Sequence, residues 1–331
     1  MRAVVLEKAG LINSSPLRVI ERDVPVPGPG ELLIRVEACG ICHTDLHTVE
    51  GDIIPPTFPI VPGHQVIGRV EAMGAGVQGW SKGDFAGVPW LYSACGACEF
   101  CLRGEENLCN EAIFTGFHRH GGYAEWMISE ADYTLKIPAG LTPEKAAPLL
   151  CAGIIGYRSL NMADLEPGER LGLVGFGASA HIAIQIAQYW DCEVYVFTRS
   201  SAHRELAQQL GAAWVGGSEQ DPPHKLDRVV LFAPVGDLVP QTLAKLRKGG
   251  TLALNAIHMS PIPKMDYELL YGERTLRSVA NATYSDGVEF IALAENIPIE
   301  TTIETYHLED ANRALLDLKL SRINGAGVLI P

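Results

Sequence analysis

The sequence lacks three features, and each absence narrows what the chain can be. It has no run of eighteen apolar residues, although 47% of its 331 residues are hydrophobic, so no transmembrane helix and no membrane partner are expected. Its first residues, MRAVVLEKAG, lack the apolar core of a signal peptide, which makes the cytoplasm the expected location. Basic residues are scarce: 26 Lys and Arg stand against 39 Asp and Glu, for a net charge of −13. A nucleic-acid partner, which needs a basic face, is therefore not expected.

Eight cysteines are present, and a reducing cytosol keeps such residues as thiols or metal ligands rather than disulfides. Four of them form the pattern C-x2-C-x2-C-x7-C in a loop rich in glycine and charge: Cys95, Cys98, Cys101 and Cys109. Four thiolates can fill every position of a tetrahedral Zn2+ and leave none for a substrate. The pattern predicts a structural zinc site, although an iron–sulfur cluster also takes four thiolates.

A second group of candidate ligands is spread along the chain. Cys42 lies in CGICHTDLH, His64 in VPGHQVIG and Cys151 in PLLCAGIIGY. Neither residue indicates a metal site by itself, because a single histidine such as His64 is usually structural and a single cysteine in an apolar run, such as Cys151, usually belongs to the core. Together they offer two thiolates and one imidazole, and three protein ligands with one open position are typical of a catalytic zinc.

A glycine-rich turn predicts a dinucleotide site. An apolar strand at residues 171–174 precedes a G-x-G-x-x-A turn, and a helix follows with an apolar face that ends at Trp190. The turn consists of Gly175, Phe176, Gly177, Ala178, Ser179 and Ala180. Its glycines allow a tight turn and close approach to a pyrophosphate, and the helix N-terminus supplies N–H donors. Strands predicted at 192–200, 227–234 and 249–257 alternate with helices at 202–210 and 239–246, which indicates a parallel α/β sheet.

The order of these motifs resembles the zinc-dependent alcohol dehydrogenases of the medium-chain dehydrogenase/reductase superfamily, and CHTDLH and LLCAG are closest to the yeast-type and bacterial branch. The similarity covers nearly the whole chain and includes HGGYAEW. It implies an α/β protein with two domains. A GroES-like, β-rich catalytic domain would comprise residues 1–152 and 283–331, with the zinc lobe at about 95–109. A Rossmann dinucleotide-binding domain with a doubly wound parallel sheet would comprise 153–282.

The resemblance also implies a role for each motif residue. Cys42, His64 and Cys151 would hold the catalytic zinc, and the four lobe cysteines the structural zinc, for two zinc ions per chain. Thr44 would hydrogen-bond the substrate alcohol, and His47 would pass its proton onward through the cofactor ribose. Asp45 would accept a hydrogen bond from the ring N–H of His64. His43 would join the turn residues in binding the cofactor.

The implied reaction is reversible hydride transfer between an alcohol and a nicotinamide cofactor, which gives an aldehyde or ketone. Zinc in such a site lowers the pKa of the alcohol, and the cofactor performs the redox step. Primary alcohols are the favoured substrates. The resemblance further implies a homodimer or homotetramer that pairs through the segment ERTLRSVANA.

Three positions depart from the family pattern. Gln65 replaces the usual Glu after the histidine ligand, which changes the charge near the metal and could lower turnover. Ile155 replaces a usual Thr behind the nicotinamide, where an apolar side chain can still contact the ring. Ala326 replaces the Arg of a usual Gly-Arg pair, which removes an expected pyrophosphate contact.

The natural substrate stays open at this point. Trp90 should narrow the pocket near the metal, whereas Ile53, where yeast-type enzymes carry Trp, should widen it. One alternative is a polyol or amino-alcohol dehydrogenase, which often has an acidic residue beside the metal; Gln65 disfavours it. Another is a zinc-stabilised binding protein that has lost catalysis. Five intact site residues argue against it: Cys42, Thr44, His47, His64 and Cys151.

The end of the second predicted strand indicates the cofactor. NAD-selective Rossmann domains carry Asp or Glu there, which binds the ribose hydroxyls and repels a 2′-phosphate. The equivalent residue is the uncharged Thr198, followed by Arg199, Ser200 and Ser201. A guanidinium can bind a phosphate through two parallel hydrogen bonds. The sequence therefore favours NADP over NAD.

Overall fold

The computed structural model describes residues 1–331, which form seventeen strands and nine α-helices. The strands are β1 (Arg2–Leu6), β2 (Leu17–Glu21), β3 (Glu31–Ile41), β4 (Gln65–Met73), β5 (Phe85–Val88), β6 (Leu91–Ser93), β7 (Ile113–Phe114), β8 (Trp126–Glu130), β9 (Leu135–Lys136), β10 (Arg170–Val174), β11 (Glu193–Phe197), β12 (Trp214–Gly216), β13 (Leu226–Leu231), β14 (Leu246–Leu254), β15 (Thr275–Ser278), β16 (Ile303–His307) and β17 (Ala326–Ile330). The helices are α1 (His43–Glu50), α2 (Glu99–Leu102), α3 (Pro143–Ala146), α4 (Ala152–Met162), α5 (Ala178–Tyr189), α6 (Ser201–Gln209), α7 (Leu238–Leu243), α8 (Tyr284–Asn296) and α9 (Ala311–Lys319). None of these helices has both the length and the apolar character needed to cross a bilayer.

The chain divides into two compact units. The first unit comprises Met1–Ile154, Asn281–Glu295 and Glu300–Pro331. The second unit comprises Ile155–Ala280 and Asn296–Ile299. Each unit has its own apolar core. The second unit is thus inserted into the sequence of the first, and the chain passes between them more than once.

The second unit is built on a six-stranded sheet in the order β12-β11-β10-β13-β14-β15. All five pairings are parallel. Counted along the chain, this is the order 3-2-1-4-5-6 of the doubly wound Rossmann fold, which reverses between β10 and β13. Strands such as β10 and β11 are almost continuous apolar runs because helices cover both faces of a parallel sheet.

Two details of this unit differ from the sequence prediction. The helix predicted over residues 239–246 ends at Leu243, and Leu246 already begins β14. Leu246 pairs with Leu226 and is fully buried, so contacts with a distant strand override the local helical pattern. Trp190, predicted on the face of the helix, is the residue that caps the end of α5.

The first unit is built on a seven-stranded, mostly antiparallel sheet. Its order is β16-β17-β3-β4-β5-β9, and β8 also pairs with β3. Only β16 and β17 are parallel in this sheet. β3 is the longest strand, with eleven residues, and pairs with three neighbours. Its central place makes both of its ends rigid positions from which a site can be built.

The candidate metal ligands lie where regular elements begin. Cys42 follows β3 and precedes α1, His64 precedes β4, and Cys151 precedes α4. Side chains at such junctions are oriented by the adjoining element. The fold therefore holds three separate sequence motifs at defined positions within one unit.

Candidate active site

The structure brings Cys42, His64 and Cys151 together. Their ligand atoms all lie within 4.8 Å of one another. The Cys42 Sγ lies 3.2 Å from His64 Nε2. His64 is buried, and both cysteines are half-buried. The group therefore has the size and the mixed thiolate–imidazole chemistry of a metal site with three protein ligands.

Cys42 is the N-cap residue of α1. Its Sγ accepts a hydrogen bond from Thr44 N at 3.3 Å, while its own N donates to Asp45 Oδ2 at 3.0 Å. The hydrogen bond with Cys151 lowers the pKa of Cys42 well below its usual range, with a further contribution from His64. The same hydrogen bond, followed by burial, raises the pKa of Cys151. Cys42 is thus stabilised as a thiolate at a helix N-terminus.

Asp45 orients His64. The ring Nδ1 of His64 lies 3.0 Å from Asp45 Oδ1, which also accepts from Gly63 N at 3.2 Å. A carboxylate only accepts, so Nδ1 carries the proton and Nε2 is turned toward Cys42. Burial lowers the pKa of His64, but the charges of Asp45 and Cys42 outweigh it and raise the pKa overall. The interaction fixes one tautomer of the imidazole.

Glycines pack around the backbone that carries His64. A Cβ on Gly63 would lie 2.4 Å from Tyr123 Cδ1, and a Cβ on Gly121 would lie 1.9 Å from the Gly63 carbonyl oxygen. Burial and the charge of Asp45 raise the pKa of the fully buried Tyr123. The HGGYAEW motif therefore supplies the wall behind the histidine. The sequence prediction gave Tyr123 no role. The two glycines before it were the available signal, because glycines allow two segments of the backbone to approach closely.

Aromatic rings border the same histidine. The Trp90 ring meets the His64 ring edge-on at 4.9 Å and stacks on Phe114 at 5.0 Å. Phe117 tilts against Trp90 at 6.0 Å. Gln65, next to His64, is buried, and its Nε2 has no hydrogen-bond partner. The surroundings of the site are therefore mainly apolar and aromatic on the Trp90 side.

The four-cysteine lobe forms a second cluster. The ligand atoms of Cys95, Cys98, Cys101 and Cys109 lie within 4.8 Å of one another. Backbone N–H groups point at the sulfurs, as in the 3.3 Å hydrogen bond from Cys98 N to Cys95 Sγ. Such bonds, first from Ala97, lower the pKa of Cys95 to about 7, whereas desolvation raises the pKa of Cys101 to about 12. The local core has only three buried residues, Leu91, Cys109 and Ala112, which is a small core for a segment of this length.

The glycine-rich turn of the second unit connects β10 to α5. Gly175 has a φ of 88°, and a Cβ there would lie 3.0 Å from Ala233 N. Gly177 is the N-cap residue of α5, and nothing lies within 4 Å of where its Cβ would be. Phe176 and Ala180 are buried, with Ala178 and Ser179 in the first turn. Gly175 is thus required by the backbone, whereas Gly177 leaves space that a phosphate can occupy.

The end of β11 carries more basic groups than the sequence prediction named. Thr198 is buried and Arg199 is exposed, and Ser200 caps α6 because its Oγ accepts a hydrogen bond from His203 N. Arg204, on the first turn of α6, donates from Nε to the Thr198 carbonyl oxygen at 2.9 Å. The sequence prediction did not include Arg204. Its position, six residues after Thr198, was the only available sign that a second arginine lies near the end of β11.

Helix α1 carries the remaining polar residues of the site. Thr44 and His47 are half-buried, and His43 is exposed. The rings of His43 and His47 lie 6.4 Å apart. Ile53 is half-buried just beyond the helix. The His47 ring also contacts Asp52, a residue that sequence reasoning did not single out.

Comparisons with known proteins identify the family of this chain. Residues 28–139 match the alcohol dehydrogenase GroES-like domain, and residues 180–296 match the zinc-binding dehydrogenase domain. "Probable alcohol dehydrogenase AdhA" of Mycobacterium tuberculosis is 45% identical over 336 residues, which cover 100% of this chain and 97% of that protein. An alcohol dehydrogenase of Geobacillus stearothermophilus is 35% identical, with 99% of both chains covered. A cobalt- and zinc-bound thermostable alcohol dehydrogenase from Pyrobaculum aerophilum superposes with a TM-score of 0.91, at 28% identity, covering 100% of this chain and 99% of its own.

The chain belongs to the zinc-dependent alcohol dehydrogenases of the medium-chain dehydrogenase/reductase superfamily. It is an oxidoreductase that binds zinc and a nicotinamide cofactor and acts on small alcohols and their carbonyl products. The fold predicted from the sequence, a GroES-like domain with a Rossmann sheet, is confirmed.

Proposed function

We propose that this alcohol dehydrogenase oxidises primary alcohols at a catalytic zinc and carries a second, structural zinc in each chain. The contrast between the two ligand groups supports this most directly. The group around His64 has three ligand atoms and the lobe has four, each group within 4.8 Å. Three protein ligands leave a coordination position for a substrate, whereas four thiolates close the shell.

The residues present fit zinc at the catalytic position. Asp45 holds Nδ1 of His64 at 3.0 Å, so Nε2 is the nitrogen available to a metal. The pKa of Cys42 is lowered, which favours the thiolate that zinc requires. When bound, zinc acts as a Lewis acid that lowers the pKa of an alcohol. Cys42, His64 and Cys151 would hold it.

Thr44 and His47 would move the alcohol proton. Both lie on α1, three residues apart, so their side chains share one face of the helix. The Thr44 hydroxyl can donate and accept at once, which suits a residue that hydrogen-bonds the alcohol. His47 lies farther along the helix, and a neutral imidazole has one ring nitrogen that accepts a proton. We assign His47 the role of proton acceptor in the relay.

The first unit would be the catalytic domain and the second unit the dinucleotide-binding domain. The first unit holds both cysteine groups, and the second holds the turn from Gly175 to Ala180. That turn and the N-terminus of α5 would bind the pyrophosphate. His43 is assigned to cofactor binding on family resemblance alone. The cofactor accepts the hydride that leaves the alcohol carbon.

NADP is the favoured cofactor. Thr198 offers no carboxylate to repel a 2′-phosphate, and Arg199 follows it in an exposed position. Arg204 adds a second guanidinium, because its Nε hydrogen bond to the Thr198 carbonyl holds it beside the end of β11. Ser200 contributes a hydroxyl. Two guanidinium groups near one strand end favour a phosphate over a neutral ribose.

The rings beside His64 would form one wall of the substrate pocket. Trp90 and Phe114 stack with an interplanar angle of 12°, which gives a flat apolar surface. Ile53 is smaller than the Trp of yeast-type enzymes and would leave room for a longer or branched alcohol. A wall of this kind suits an apolar primary alcohol better than a polyol, because a polyol would leave hydroxyls unpaired against it.

A homodimer or homotetramer is proposed on family resemblance and one feature of the sheet. β15 is the edge strand of the six-stranded sheet, and most of its residues are exposed. Tyr267 and Tyr271 nearby are 74% and 68% exposed. An open edge beside exposed aromatic side chains is a surface that a second copy can cover.

The experiment that tests this function combines turnover with metal analysis. Purified protein is supplied with a primary alcohol and NADP, and the absorbance of the reduced nicotinamide is followed. We expect zinc-dependent turnover and two zinc ions per chain, with a weaker rate for a polyol such as sorbitol. One zinc per chain, or full activity without metal, would contradict the two-zinc assignment. Folded, zinc-loaded protein with no turnover on any alcohol would indicate a binding protein that has lost catalysis.

A further inference from the structure

Asn255 is a polar residue at the edge of the six-stranded sheet where a ligand is expected. It directly follows β14, and its N donates to the Leu231 carbonyl oxygen, at the end of β13, at 2.9 Å. The residue is half-buried. In a doubly wound sheet, ligands bind outside the carboxyl ends of the strands. Asn255 therefore lies at the binding edge of the second unit, with its backbone held by the neighbouring strand.

Two consecutive hydrogen bonds fix the Asn255 side chain. Its Nδ2 donates to Ser159 Oγ at 2.8 Å, and that hydroxyl donates to the Ile155 carbonyl oxygen at 2.6 Å. Ser159 lies on α4 and is fully buried. A carbonyl oxygen can only accept, so the one hydroxyl proton of Ser159 is committed to Ile155. The hydroxyl oxygen must then accept from Asn255, and only the amide nitrogen of an asparagine side chain can donate.

The oxygen of the same amide is left to face away from Ser159. Oδ1 of Asn255 accepts no hydrogen bond within the chain and is not buried. Because the side chain is held at Nδ2 and the backbone at N, this oxygen is a preorganised acceptor at the carboxyl end of β14. It cannot bind a pyrophosphate, whose ionised oxygens also only accept. Its ligand must therefore offer an O–H or N–H donor.

The strand order indicates which part of a dinucleotide meets this acceptor. The sheet contains two mononucleotide-binding halves, β10 to β12 and β13 to β15. Thr198 directly follows β11, the second strand of the first half, and occupies the position that selects the adenosine ribose. Asn255 directly follows β14, the second strand of the second half. This correspondence between the halves assigns Asn255 to the ribose of the nicotinamide half.

We propose that Asn255 is a cofactor-binding residue whose Oδ1 accepts a hydrogen bond from a hydroxyl of the nicotinamide ribose, and that Ser159 is the positioning residue that orients its amide. This rests on the proposed role of the second unit in dinucleotide binding. It applies to NAD and NADP alike, because both carry this ribose. The bond restrains the sugar to which the nicotinamide ring is attached.

The first test measures binding and needs no turnover. Nicotinamide mononucleotide and 5′-AMP, which represent the two halves of the cofactor, each displace the reduced cofactor in a fluorescence titration. We expect Asn255→Ala to weaken binding of nicotinamide mononucleotide about three- to tenfold, the effect of one neutral hydrogen bond, and to leave 5′-AMP unchanged. Asn13→Ala, at an exposed asparagine of the first unit, is the matched control and should change neither. Equal binding of nicotinamide mononucleotide by wild type and Asn255→Ala would overturn the proposal.

A cofactor analogue separates the ribose from the carboxamide, which is the other donor in this half. The 3-acetylpyridine analogue carries a methyl ketone in place of the amide, so it keeps the ribose hydroxyls and lacks the amide N–H. We expect Asn255→Ala to weaken binding of the natural cofactor and of the analogue by the same factor. A loss that disappears with the analogue would overturn the ribose assignment in favour of the carboxamide.

The positioning role of Ser159 is tested by a double-mutant cycle. Ser159→Ala should weaken binding of nicotinamide mononucleotide about two- to threefold, because the amide can then rotate, and should have almost no further effect in the Asn255→Ala background. Equal losses in both backgrounds would overturn the positioning role. Unchanged 5′-AMP binding in the variants shows that the second unit stays folded. A wild type that binds no 5′-AMP would instead refute the dinucleotide-binding role on which the inference rests.

Discussion

Gln65 and Ala326 are two residues of the first unit that are uncharged where the family resemblance leads us to expect a charged side chain. Gln65 is buried beside His64, and a Cβ on Gly40 would lie 2.9 Å from its amide carbon, so Gly40 makes room for this side chain. Ala326 is buried at the start of β17, in the sheet that also contains β4. Both replacements are neutral, so neither leaves an unpaired charge buried in the unit.

The relay can be tested at the single residue His47. We predict that His47→Gln lowers kcat by about tenfold or more, because general acid–base help is worth roughly 10²–10⁴-fold and solvent can replace part of it. Cofactor affinity, measured by fluorescence titration, should change less than about twofold. His224→Gln, which alters an exposed histidine of the second unit, serves as the control. An unchanged pH–rate profile in His47→Gln would remove the relay assignment.

Cofactor choice is a second test at residue scale. We predict that Thr198→Asp combined with Arg199→Ile shifts the ratio of kcat/KM for NADP over NAD by at least about tenfold toward NAD, since a charge-assisted hydrogen bond contributes about 1.5–3 kcal/mol. Inhibition by 2′-AMP should weaken in parallel, while inhibition by 5′-AMP should not. Arg18→Ile, at an exposed arginine of the first unit, is the control. A wild type that already prefers NAD tenfold would show that the loop does not select a phosphate.

At the scale of elements, the lobe with Cys95, Cys98, Cys101 and Cys109 differs from every other part of the chain. It consists of the four-residue helix α2, short turns and a core of three buried residues. So little apolar area cannot offset the entropy of ordering a loop of this length. We therefore expect metal binding to supply part of the folding free energy of the lobe, as in other small metal-stabilised modules.

The two cysteine groups should respond differently to removal of a ligand. We predict that Cys101→Ser lowers the melting temperature by about 10 °C, because the lobe loses several kcal/mol of metal-derived stability. Cys151→Ser should abolish turnover with the fold kept. Each variant should retain one zinc per chain, whereas Cys192→Ser, at a buried cysteine outside both groups, should retain two. A fully stable Cys101→Ser would contradict the structural role of the lobe.

Regular elements with strong local patterns could be predicted from the sequence, and contacts made by distant segments could not. The G-x-G-x-x-A turn between an apolar strand and an apolar helix predicted β10 and α5 because each step has a local signal. The end of α7 could not be predicted, because Leu246 is drawn into β14 by Leu226. The contact of His47 with Asp52 was equally hidden, since the sequence shows the glycine that precedes Asp52 but not the turn of the chain that it allows.

The site shows the same division. The three ligand positions were grouped from residue type, and the structure places their atoms together. Tyr123 and Arg204 were missed because their importance depends on the packing of Gly63 against Gly121 and on a hydrogen bond to the Thr198 carbonyl. Neither interaction has a signature within a short window of sequence, because each depends on a contact that forms only in the folded chain.

At the scale of the whole molecule, the second unit ends in an exposed sheet edge. β15 is short, and its outer side has no strand beside it within the chain. Native proteins protect such edges by charge, by a covering element or by association with another chain. Association also makes the free energy of unfolding depend on protein concentration, because only folded chains associate.

Association can be measured directly. We predict a dimer or tetramer by light scattering at micromolar concentration, and a shift toward smaller species in Tyr271→Glu, because a buried carboxylate would oppose an apolar contact. Tyr189→Glu, at an exposed tyrosine that ends α5, is the matched control and should leave the assembly unchanged. A wild-type protein that is monomeric at this concentration would contradict the proposed association of chains.

The close spacing of the lobe thiols has a consequence for oxidation of the protein. Cys98 Sγ and Cys101 Sγ lie 3.5 Å apart, which is van der Waals contact, so in a lobe without metal the two thiols are close enough for an oxidant to join them after a small movement. A bond between them would consume two of the four ligands and prevent zinc from returning. We therefore expect that zinc lost in air does not rebind until the disulfide is reduced, whereas zinc lost in the presence of reductant can rebind. The rate of irreversible inactivation during storage would then depend on oxidation of the metal-free lobe rather than on the free energy of unfolding of the two units.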